Sequence, residues 1–197
     1  MVDNNIEYSP ASTRAMAVST LQPSLALLHS MRSRSGEQLT VGLSDDVIAK
    51  FCTSDNNLVR AIGEASSLFE SLPSMQADEA TLVEELQSDF INFYAPETVN
   101  PYVALAARGP WIVTAHGAVL HDNGGYGMLG GGHGPDEIIN AMSKNWVMAN
   151  VMTPSFSQKR LADGLRKELG HTRGSCPFSK FICMNSGSES VTVACRI

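Results

Sequence analysis

Leu58, Ile62, Ala65, Leu68, Phe69 and Leu72 recur at three- and four-residue intervals, and Pro73 closes the run. That spacing places apolar side chains on one face of a helix, with Ser54-Asp55 ahead of it as the expected cap. A shorter helix is predicted just before, with Ser44-Asp45-Asp46 as N-cap and acidic first turn and Phe51 at its end. A third starts near Asp78-Glu79 and carries Leu82, Val83, Leu86, Phe90 and Ile91 on one face before Pro96. Its charges, opposite that stripe, read as a solvated face. These helices define a helical segment over residues 43–96. Residues 1–42 are serine-rich, contain Pro10 and Pro23, and lack sustained periodicity apart from a turn or two at residues 25–31. They are expected to form a flexible N-terminal extension.

Past Pro101 the pattern changes. Trp111-Ile112-Val113-Thr114-Ala115 and Ala118-Val119-Leu120 flank His116-Gly117, which reads as a β-hairpin. Residues 122–135 are dense in glycine, a composition that permits left-handed backbone and close approach of a ligand or another chain. Pro135-Asp136-Glu137 then starts a helix bearing Ile138, Ile139, Met142 and Trp146, with proline at N1 and acids in the first turn. Hairpin, glycine-rich loop and helix make up residues 97–150. In residues 151–197, Ser155 or Ser157 starts a helix through Leu169 that Gly170 ends. Phe181-Ile182-Cys183-Met184 follows as a short strand, and a helix can continue from Val191. The predicted class is α/β, with the first βα unit of a parallel sheet at the end of the sequence. Such a strand needs neighbours on both sides.

A chain of 197 residues with 43% hydrophobic and 17% charged residues has room for one domain with a core, or a domain plus an extension. A net charge of -6 gives no general electrostatic case for nucleic-acid binding. No apolar run approaches the roughly 20 residues needed to span a bilayer. Cys52, Cys176, Cys183 and Cys195 form no C-x-x-C pair and show no metal-ligand spacing with the histidines, so no metal site is expected. Cys183 and Cys195 read as small buried hydrophobes. Arg14, Arg32 and Arg34 among serines suggest an organellar transit peptide, but Asp3 and Glu7 argue against one. The compartment expected is the cytoplasm, with the mitochondrion as the alternative.

The chemistry concentrates in Met184-Asn185-Ser186-Gly187-Ser188-Glu189-Ser190. A tight turn at a helix start presents unpaired N–H groups and the positive end of the helix dipole, which suits a phosphate. Ser186-x-x-Glu189 is also a capping box, a helix start that needs no ligand. The two readings are compatible. The turn is neither a P-loop, nor a G-x-G-x-x-G between strand and helix, nor a G-x-S-x-G elbow.

Asn185-Ser186-Gly187-Ser188-Glu189-Ser190 closely resembles the N-[ST]-G-[STV]-E-[AS] signature of class III aminotransferases, which use pyridoxal 5′-phosphate (PLP). Upstream, Gly131-Gly132-His133-Gly134-Pro135-Asp136-Glu137 is similar to the family's G-H-x-[HN]-P-x-[IV] segment. Residues 109–122 look like its N-terminal hairpin, closing on an Asp placed like Asp122. The motifs keep family order over roughly residues 95–197. His133 falls one place late, and the loop at residues 123–129 looks about one residue short.

The resemblance implies the N-terminal part of the type I PLP-dependent transferase fold. Residues 151–197 would then begin the large cofactor-binding domain, truncated in this chain. It implies a transaminase moving an amino group from an amino acid or ω-amine to a 2-oxo acid, usually as a homodimer. Ser186, Gly187 and Ser188 would bind the PLP phosphate, and Tyr126 stands where the family approaches substrate. His116, His121 and His133 read as structural. No catalytic residue is assigned, because the family places its Schiff-base lysine and the carboxylate beneath the pyridine ring far downstream of the phosphate turn. Lys50, Lys144, Lys159, Lys167 and Lys180 all precede that turn. The chain alone is therefore expected to be inactive. Two other readings stand beside this one: a non-catalytic protein using the turn to bind an anion or dock a partner, and an interaction module built on the helices of residues 44–94.

Overall fold

The computed structural model describes residues 23–72, 76–92, 95–123, 130–147 and 152–197. It is a mixed α/β structure with seven α-helices and one three-stranded antiparallel sheet among those residues. The chain divides into two compact units, the first ending at Ser143 and the second running from Lys144 to Ile197.

The first unit is organised around helix α3, Asn56–Ser71. Its predicted apolar face is buried at Leu58, Ile62, Ala65 and Phe69, with Ala61 and Ser66 added. That face packs on strands β1 (Ala104–Arg108) and β2 (Trp111–Thr114). β2 pairs antiparallel with β1 on one side and with β3 (Val119–His121) on the other. The predicted hairpin is present. Gly117 makes its turn at φ 74°, where a Cβ would stand 2.8 Å from Arg32 Cγ. The Gly117 carbonyl accepts a 2.9 Å hydrogen bond from Arg32 Nε. This position therefore needs glycine both for its backbone and for the close approach of the helix above it.

Several findings differ from the sequence reading. Residues 23–34, placed in the extension, form helix α1, and Leu28 and Met31 are fully buried in the core. Two apolar residues three apart suffice once α2 (Asp45–Cys52), which buries Ile48 and Cys52, closes over them. Strand β1 departs from the sequence pattern: Ala-Leu-Ala-Ala-Arg has weak strand propensity, and pairing to β2 and cover by α3 impose the strand. Helix α4 (Glu79–Gln87) stops before Phe90 and Ile91, which are exposed. Its Glu79 is fully buried, not solvated: Oε2 accepts from the Leu39 and Thr40 amides, both at 2.7 Å.

The second unit holds helices α6 (Phe156–Gly170) and α7 (Gly187–Ala194). α6 opens with a full capping box between Ser155 and Gln158. The predicted strand at residues 181–184 is not formed, and no parallel βα unit occurs among the described residues. A strand exists only when its N–H and C=O groups meet a neighbour, and none of the described strands pairs with this segment. Cys183 and Cys195 are exposed rather than buried. Helix α5 (Asp136–Met142), at the end of the first unit, has Pro135 as its N-cap rather than N1, and Ile138, Ile139 and Met142 are exposed.

Candidate functional site

Asn185 to Glu189 fold as a capped helix start. Ser186 is extended, at φ -144° and ψ 159°, and its Oγ accepts from the Glu189 amide at 3.2 Å. The Glu189 carboxylate reaches back to the Asn185 amide at 3.0 Å, one residue before the position a standard capping box uses. The Ser190 amide bonds the Ser186 carbonyl at 3.1 Å and starts the helical ladder.

An α-helix leaves its first amides without intrahelical partners. Here the Glu189 amide is satisfied by Ser186, whereas those of Gly187 and Ser188 form no hydrogen bond among the described residues. Both residues are exposed, and the Ser188 hydroxyl also has no partner there. The turn thus offers two backbone N–H groups, one hydroxyl and the positive end of α7. That donor set fits a phosphate ester. Glu189 opposes it with a negative charge that any anion on the turn must tolerate.

The structure brings together Ser186, Gly187 and Ser188, but Ser186 is engaged in capping and its Oγ is already accepting a bond. Tyr126 lies outside the described residues. Among the described residues no lysine forms a hydrogen bond or ion pair with the turn. Lys159 pairs with Asp163 one helical turn along α6, and Lys180 lines a cleft with Leu161, Leu165 and Phe181.

The histidines of the first unit hold structure. His116 is fully buried, with Nε2 2.8 Å from the Ala77 carbonyl. His121 stands edge-on to Trp111, centroids 5.0 Å apart, with Nδ1 2.9 Å from Asn123 Oδ1. His133 exchanges two backbone hydrogen bonds with Gly109, 2.9 and 2.8 Å, and places Nε2 2.9 Å from Asp122 Oδ2.

Sequence reasoning missed a charged network that ties the end of the glycine-rich segment to α3. Arg108 bonds Glu64 and the Gly134 carbonyl, and both Arg108 and Arg60 pair with Asp136. The Asp136 carboxyl is held below its usual range, chiefly by the Arg60 hydrogen bond and then by the nearby charges. Glu64 and Arg60 lie one turn apart on α3, but nothing in one-dimensional spacing joins them to Asp136.

No cluster of three or more metal-type side chains occurs among the described residues, and no described helix is long and apolar enough to cross a membrane. Comparison with protein-family models, with curated proteins and with solved structures finds no match.

Proposed function

We propose that this chain carries the cofactor-phosphate corner of a class III PLP-dependent aminotransferase of the type I fold. Such an enzyme transfers an amino group from an amino acid or ω-amine to a 2-oxo acid and works as a homodimer. The carrying observation is the pair of exposed amides at Gly187 and Ser188, without a partner among the described residues, on a capped helix start within a sequence resembling that family's signature.

The Gly187 and Ser188 N–H groups would bind and orient the phosphate, with the Ser188 hydroxyl as a third donor. Ser186 would act indirectly, by holding the Glu189 amide so that the first turn keeps its shape. When bound, PLP supplies an electron-withdrawing ring that stabilises negative charge developing at the substrate's reacting carbon. The donors at Gly187 and Ser188 fit the phosphate, and no residue is assigned to that ring.

A second reading keeps the turn and drops the chemistry: a non-catalytic anion-binding or partner-docking protein. It is favoured by the lack of any lysine paired to the turn among the described residues. Absorbance titration with PLP separates the two, followed by borohydride reduction and mapping of any modified lysine. Gly187→Pro is the informative variant. It deletes one amide at N1, where proline is tolerated, after a residue whose extended backbone suits a following proline. Severalfold weaker PLP binding in Gly187→Pro, with pyridoxal binding unchanged, supports a phosphate site on the turn. Equal binding of PLP and pyridoxal, or an unaffected variant, removes it. Competition by inorganic phosphate as strong as by PLP favours the second reading.

A further inference from the structure

Helix α6 and the segment at residues 179–183 form the two walls of a cleft of about 670 Å³ in the second unit. Its volume falls within the range of small-molecule sites, about 300–1,000 Å³. Leu161, Ala162 and Leu165, on one face of α6, make one wall, and Phe181, Ile182 and Cys183 make the other. Arg166 ties the walls together. Its Nη2 donates to the Ser179 carbonyl at 3.1 Å, and its guanidinium carbon stands 5.5 Å from the centre of the Phe181 ring.

The charge beside this hydrocarbon is one-sided. Among the described residues the lining holds two cations, Arg166 and Lys180, and no acid. The other residues of the unit, 148–151, are Met, Ala, Asn and Val, so none of them brings a charge. Arg166 is already engaged, by Ser179 and by Asp163 at 3.4 Å. Lys180 forms no hydrogen bond or ion pair among the described residues, and an ammonium has three donors to give. Its four-carbon stem is able to lie on the apolar wall while the charge stays at the rim.

An apolar cleft with a cation at its rim selects by charge and by shape. A hydrocarbon tail leaves water for the walls, and an acid group pairs with the ammonium. An alkylammonium ion encounters like charge there, and a small inorganic anion gains nothing from the walls. We propose that this cleft binds a medium-chain alkyl carboxylate, with its tail along Leu161, Leu165 and Ile182 and its carboxylate on Lys180. Such binding requires neither the amides of Gly187 and Ser188 nor aminotransferase chemistry.

Cys183 lines the cleft and is exposed, so its thiol reports occupancy. Iodoacetamide labelling of the full 197-residue chain, mapped by peptide mass, is followed with octanoate, 1-octanol and octylammonium as probes. Octanoate should slow labelling of Cys183 and leave Cys195, also exposed, unaffected. An exposed ion pair adds only modestly to burial of the tail, so octanoate should protect at a concentration about three- to fivefold below that of octanol. Octylammonium should be weaker than either, and added salt should narrow these differences. The comparison needs no variant. Lys180→Gln should bring octanoate close to octanol while leaving octanol unchanged. Ala162→Trp, which fills the cleft from α6, should weaken both about tenfold. Equal protection by octanoate and octylammonium in the wild-type chain overturns the proposal, as does an Ala162→Trp variant that octanoate protects as it does wild type. Labelling of Cys183 that slows with rising protein concentration, and no ligand present, gives the cleft to a second copy and overturns it too.

Discussion

Glu79 and Asp45 are both acids at the start of a helix, yet they do different work because of what surrounds them. Glu79 is fully buried and gathers the Leu39 and Thr40 amides on one oxygen, which pins the segment between α1 and α2 to the start of α4. Glu79→Ala would leave two amides without an acceptor, at a cost of about 2–6 kcal/mol. Glu79→Gln keeps an acceptor and should cost less, an ordering that urea unfolding of the two variants would check. Asp45 is partly exposed and is held below the usual carboxylate range, first by the Arg32 hydrogen bond and then by His29. A folded-state pKa below the unfolded one means that this pairing contributes fully above the ordinary Asp value, about 4, and is lost as pH falls through the lower folded value. The urea midpoint should therefore drop in that acid window, and Arg32→Gln should flatten part of the drop. Asp136 and Glu70, also lowered by arginine partners, would keep the remainder. An N-cap position is visible in a sequence; the amides or arginines that will surround it are not.

Asp55 shows how an element is fastened to its neighbour. Its Oδ1 caps α3 at the Asn57 amide, 2.9 Å, and its Oδ2 accepts from the buried Trp111 indole at 2.7 Å. Asp55→Ala removes the cap and leaves an indole N–H without its acceptor. The expected loss is about 2–4 kcal/mol, the sum of a cap near 1 and an unsatisfied donor of 1–3. Asp55→Asn should recover much of it, as thermal melts of the two variants would show. The helix was readable from the spacing of Leu58, Ile62, Ala65 and Phe69, and the hairpin from Trp111 to Leu120. β1 was not readable, because its alanines carry no strand signal and acquire one only by pairing with β2. The reverse holds at residues 181–184. Apolar composition suggests a strand there, but a strand is a property of a pair of segments, and no described strand lies alongside.

Across the whole molecule the buried apolar side chains are unevenly distributed. The core runs through α1, α2, α3, α4 and the sheet, all before Ser143. In the second unit Gly170 is the buried residue of α6, α7 buries none, and Phe156, Ile182 and Ile197 are 90%, 66% and 92% exposed. Hydrophobic burial is the main term opposing chain entropy, so the two units should differ sharply in stability. Amide hydrogen exchange of the isolated chain is expected to protect α3 and β2 and to leave α6 and α7 close to unprotected. Equal protection in both units would refute this. On the proposed aminotransferase reading, these 197 residues alone should show no amino-group transfer from lysine, ornithine or alanine to 2-oxoglutarate, since none of the five lysines stands where class III aminotransferases carry theirs. A coupled glutamate assay reading above background would overturn that expectation.

The linear order of residues determined whatever depends on near neighbours. The amphipathic face of α3, the cap of α6, the turn at Gly117 and the capped start of α7 each need only a few consecutive side chains and the backbone between them. Tertiary structure decided the rest. It put Leu28 and Met31 in the core, turned Glu79 inward, joined Arg60 and Arg108 to Asp136, and set Asp122 against His133. These outcomes depend on which distant segments share a surface, and burial and charge take their energetic meaning only once those segments have met.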